Sequence, residues 1–146
     1  MPGVSLRTRG AVALLGAALL LLTGLANAQD PRASAAQTVA RQFLALTDRG
    51  DAKASWEAAG KQFQSGVTEV RWAQALALVR TPVGEVVDRA LISTEFLRTF
   101  AGATREGDYV IVQYRTSFAK LTGARESLTL EREADGVWRV IGYVIS

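Results

Sequence analysis

The apolar residues of this chain keep two rhythms, and the change falls between Pro82 and Gly84. Before it they recur at spacings of three and four, the period of a helix with one buried face. After it they alternate, the period of a strand with one buried face. Helices gathered at one end of a sequence and strands at the other do not build a βαβ unit. They predict an α+β domain in which three N-terminal helices pack on a curved four-stranded antiparallel sheet.

The first helix is expected from about Ser34, where Ala36, Val39, Ala40, Phe43 and Leu46 form one stripe. Arg49-Gly50-Asp51 follows, a tripeptide often associated with adhesion. Each of its residues has an ordinary structural use. Gly50 suits the left-handed position that closes a helix, Asp51 can cap the next one, and Arg49 meets the negative end of the first helix dipole. A three-letter match is weak, so the tripeptide reads as the corner between two helices. The second helix is predicted over residues 52–64, with Ala52, Trp56, Ala59 and Phe63 on one face. Thr68 can cap a third, whose buried stripe is Trp72, Ala75, Leu76 and Val79 before Pro82 stops it.

Residues 85–100 are rich in β-branched side chains but alternate imperfectly, which predicts a bulged or bent strand. The second strand, residues 109–119, alternates clearly. Val110, Val112, Tyr114, Thr116 and Phe118 line one side, and Tyr109, Ile111, Gln113, Arg115 and Ser117 the other. In the third, residues 125–133, Leu128 and Leu130 point inward. Asp135-Gly136 is the strongest hairpin signal in the chain. The last strand sets Trp138, Val140, Gly142 and Val144 against Val137, Arg139, Ile141, Tyr143 and Ile145.

Residues 1–28 read as a secretory signal peptide: Arg7 and Arg9, an uncharged apolar run over residues 11–26, then Ala26-Asn27-Ala28 for cleavage. The run is short of the ~20 residues of a relaxed membrane span, which disfavours an uncleaved anchor. Cleavage after Ala28 leaves a periplasmic or secreted chain, with a flexible polar lead-in over residues 29–34 and a single domain over residues 35–146. The 17 basic and 14 acidic residues become 15 and 14 once Arg7 and Arg9 leave. The remaining bases are scattered singly, which is no footprint for nucleic acid. Cysteine and histidine are absent, so disulfides, thiol nucleophiles, imidazole bases and Cys/His zinc sites are excluded.

The stretches "DRGDAKASWEAAGKQF", "RWAQALALVRTPVGEV", "YVIVQYRTSF" and "DGVWRVIGYVI" occur in an order that resembles a bacterial domain-of-unknown-function family of small exported proteins. The resemblance spans residues 35–145. It implies a cystatin-like, nuclear-transport-factor-2-like α+β cone and export, and it implies no activity. That fold hosts isomerases, dehydratases and plain dimerisation modules, so fold alone does not choose among them.

The chemistry left to such a chain is carboxylate plus tyrosine. Tyr114 with Asp88 or Glu95 is the candidate pair for an isomerase- or dehydratase-like enzyme acting on a small apolar ligand. Trp56, Trp72 and Trp138 sit on apolar stripes, which favours packing over ligand stacking. A mouth lined by Trp72, Tyr114, Phe118 and Trp138 is the candidate pocket. Tyr109, Ile111, Ile141, Tyr143 and Ile145 would form an apolar patch on the second sheet face, suited to a homodimer or a protein partner. No catalytic residue, cofactor or metal ligand is assigned. The favoured reading is an exported, non-catalytic binding or interaction module, with the carboxylate–tyrosine enzyme as the alternative.

Overall fold

The structure, a computed structural model, describes residues 30–146; the expected signal peptide and cleavage after Ala28 lie outside them. Helix α1 runs Pro31–Asp48, α2 Ala52–Ala58, α3 Lys61–Gly66 and α4 Glu69–Arg80. Four strands follow: β1 Val86–Leu97, β2 Tyr109–Phe118, β3 Leu121–Arg132 and β4 Trp138–Ile145. They pair antiparallel in the order β1-β2-β3-β4, an open meander.

Asp30 starts α1 by accepting the Arg32 amide, with Pro31 pre-set in the first turn. The helix therefore begins three residues before Ser34 and takes in most of the expected flexible lead-in. It lies on the inner sheet face, burying Ala36, Ala40, Phe43 and Leu44 against Val110, Val112, Leu128, Leu130 and Val140. Its C-terminus closes at Gly50, whose φ of 68° needs a residue without a Cβ. The Gly50 and Asp51 amides donate to the Thr47 and Leu46 carbonyls, each at 3.0 Å. Asp51 then caps α2 through Ala54 N–H, also at 3.0 Å. The corner reading of Arg49-Gly50-Asp51 is the observed geometry.

The helix expected over residues 52–64 is two helices, which makes four rather than three among the described residues. Ala59 and Gly60 are extended, and Gly60 N–H donates to the Val140 carbonyl at 2.8 Å. Pairing with the open edge of β4 outcompetes the helical bond at this point. The break also carries the chain round that edge: Lys61 N–H donates to Glu133. Helix α4 buries only Trp72 and Leu76; the predicted stripe members Ala75 and Val79 are exposed. It packs through Trp72 on Phe43, Phe63 and Ser55 and does not lie across the sheet.

Strand β1 shifts register between Val86 and Asp88 and between Leu91 and Ser93, the expected bulges. Strand β3 starts at Leu121, four residues earlier than predicted, after a two-residue turn at Ala119 and Lys120. That turn has no Asn-Gly or Asp-Gly; the Ala119 and Lys120 amides donate to the Glu85 and Val83 carbonyls. Asp135-Gly136 does form the β3–β4 turn, with Gly136 at φ 80°.

In β4, Thr129 faces Gly142 while Leu130 faces Val140, so Ile141 is an extra residue. The bulge turns the rest of the strand over. Tyr143 and Ile145 pair with Leu128 and Glu126 on the inner side, and Val144 is left 59% exposed outside. The predicted faces of the last strand therefore hold for Trp138 and Val140 and reverse beyond them.

Candidate functional site

Strand alternation that turns Leu128 and Leu130 inward turns Glu126 inward as well, and Glu126 is fully buried. A carboxylate without water must be met by donors, and every donor here comes from a different strand. Arg89 of β1 gives Nε to Oε1 at 2.7 Å, and Thr116 of β2 gives its hydroxyl to the same oxygen at 2.5 Å. Tyr143 of β4 donates its hydroxyl to Oε2. One carboxylate thus ties together all four strands.

The network continues to the helices. Arg89 also reaches Asp48, at the end of α1, with bonds of 2.8 and 2.9 Å. Arg80, at the end of α4, donates to Asp48 at 2.9 Å and to Thr47 at 3.3 Å. Burial works against the charge on Arg89, yet its bonds to Asp48 and Glu126 prevail and raise its pKa. Burial likewise opposes the charge on Asp48, and the two guanidiniums overcome it, holding the carboxyl below its usual range. Tyr143 is pushed well above the usual phenol range, first by burial and then by the Glu126 charge and hydrogen bond. It remains a donor throughout the neutral range. Beside it, the Tyr114 hydroxyl is buried without a sound hydrogen bond among the described residues. Burial raises its pKa, and the charges of Arg41 and Arg89 oppose that rise.

The predicted carboxylate partners of Tyr114 do not reach it. Asp88 and Glu95 are exposed, Asp88 opposite Ser117 and Glu95 opposite Ile111. The bulges in β1 set these faces, and imperfect alternation hid them. The interior carboxylate is Glu126 instead, and the phenol bound to it is Tyr143. Sequence alternation in β3 carried the signal for Glu126, because it lies two residues before Leu128 and four before Leu130.

The four residues expected to line one mouth are distributed through the core. Trp72 packs edge-on to Phe63 at 5.0 Å and donates to Ser55; Tyr114 lies by the Glu126 network. Phe118 is capped by the Arg80 guanidinium at 5.1 Å, and Trp138 meets Phe96 at 5.9 Å. Trp56, off this set, donates to the Val67 carbonyl at 2.8 Å. Trp138 does border a surface cleft, at the end of the sheet where α1 begins.

The five residues expected on one outer patch are also separated. Tyr109 is on the outer face but fully buried, covered by Phe100 at 4.9 Å and bonded to the Arg105 carbonyl and Gln62. Tyr143 and Ile145 are on the inner side, and Ile141 is half-buried against Gly60. Ile111 keeps its outer position, opposite Glu95 and Thr129.

Among the described residues, no group of three or more acids could hold a metal ion, and no helix is long and apolar enough to cross a membrane. No curated protein matches the chain. A family model described as "Protein of unknown function (DUF4019)" matches residues 39–143, from the first helix to Tyr143 of the buried network. The chain belongs to that family, DUF4019.

Proposed function

We propose that this protein is an exported, non-catalytic module that works by binding, with the nuclear-transport-factor-2-like cone as its scaffold. The observation that supports this reading is the state of Glu126. A general base must come within hydrogen-bond reach of a substrate proton. Glu126 has no exposed surface, and both its oxygens are taken by Arg89, Thr116 and Tyr143. Its partners belong to the other three strands and, through Arg89 and Asp48, the network reaches two helices, which is the layout of a brace. The alternative, a carboxylate–tyrosine isomerase or dehydratase, requires that network to open and admit a ligand. In the binding reading, a second copy or a protein partner meets the uncovered part of the outer sheet face, around Ile111 and exposed Val144.

Carbodiimide labelling of carboxylates under native conditions, read peptide by peptide, tests the reading. Exposed Glu57, Glu95 and Glu106 should label readily and Glu126 only on unfolding. Native labelling of Glu126 at rates like theirs would favour the enzyme.

A further inference from the structure

A cleft of about 140 Å³ opens where the first turn of α1 meets the ends of all four strands. Its apolar and aromatic lining comes from Phe96, Leu97, Tyr109 and Trp138, and its charged lining from Arg32, Arg98, Arg132 and Asp108. Three guanidiniums face one carboxylate. Arg32 lies over the Phe96 ring at 4.4 Å, and Phe96 packs on Trp138. The apolar wall is thus continuous with a cationic edge.

The charges do not cancel. Arg32 is held by Asp30 at 2.8 Å and Arg98 by Asp108 at 2.6 Å. Arg132, directly across from Trp138 in the β3–β4 pairing, is in no ion pair among the described residues. One positive charge is therefore left over at the cleft. The two existing pairs are more than 40% exposed on every side chain, and exposed pairs of this kind contribute little, so their guanidiniums can exchange partners cheaply. The cleft is smaller than the ~300 Å³ at the lower end of drug-sized sites, so it takes one ring-sized group. A cation is repelled, and a large or strongly polar solute has no apolar wall to match it.

We propose that this cleft binds a small monoanion with a flat apolar body, an aryl carboxylate in chemical class. The ring rests on Phe96 and Trp138, and the carboxylate takes the guanidinium of Arg132, with Arg98 beside it. The inference rests on the reading of the protein as a binding module and adds a small-anion site apart from the outer sheet face.

The test is titration of the purified full chain with sodium benzoate, followed by calorimetry and by the indole N–H signals of its three tryptophans. Benzoate should saturate one site and shift Trp138, leaving Trp56 and Trp72 in place. Benzyl alcohol, the neutral analogue, should bind at least tenfold more weakly. Arg132→Gln should weaken benzoate about tenfold, the worth of one charge-assisted contact. Arg132 is exposed and only its backbone bonds to Asp108, so the variant should keep the wild-type circular dichroism. No saturable benzoate binding, equal binding of the neutral analogue, or binding without a Trp138 shift would each overturn the assignment. Those results leave the binding reading itself standing, since that reading fails only by native labelling of Glu126.

Discussion

At Asp51 one carboxylate oxygen takes the Ala54 amide, one of the donors that the first turn of a helix leaves unpaired. Removing it exposes that donor to water, so Asp51→Ala should cost about 1 kcal/mol in denaturant unfolding. An adhesion motif would lose binding with stability unchanged. This residue was legible in the sequence because its function is local: the glycine before it and the helical period after it fix its position. Glu126 is the opposite case. Its inward direction followed from Leu128 and Leu130, but its partner Arg89, and Asp48 on the far side of Arg89, lie 37 and 78 positions earlier in the chain, and no short-range pattern joins them. Buried charge is invisible to a reading that follows apolar spacing alone.

At the scale of elements, the sequence displays what the backbone does by its own preference and hides what a neighbour imposes. Caps at Asp51 and Thr68, the turn at Asp135-Gly136 and the bulged character of β1 come from residue types on the spot. The break at Gly60 does not, because it is made by the edge of β4. A Cβ at Gly60 would lie 2.8 Å from Ile141 Cγ2 and 3.3 Å from Arg139 Cβ. Gly60→Ala should therefore push the α2–α3 corner off the β4 edge and cost about 1–3 kcal/mol, the usual range for an overpacked site. Hydrogen exchange should show the loss first at the Gly60 and Lys61 amides. The bulge at Ile141 sits beside Gly142, a residue that often marks such a shift within a strand. It reverses the faces of Tyr143 and Val144, which is why strict alternation misplaced the outer patch.

Across the whole molecule, the one change of period at Pro82–Gly84 was enough for the α+β class and the antiparallel sheet. What period could not supply is how the layers are joined. Apolar packing of α1 on the sheet provides most of the core, while the chain Arg80–Asp48–Arg89–Glu126 links α4, α1, β1 and β3 from the surface at Asp48 to the buried Glu126. A buried pair of this kind gains little over apolar packing, but losing one member leaves a charge with no partner. The central claim is that Glu126 is a brace of the fold, and a double-mutant comparison of unfolding free energies tests it most directly. Arg89→Met should cost about 3–5 kcal/mol by stranding Glu126, and adding Glu126→Leu should recover most of that loss. Wild-type stability in Arg89→Met, or a double variant no more stable than the single one, would contradict it.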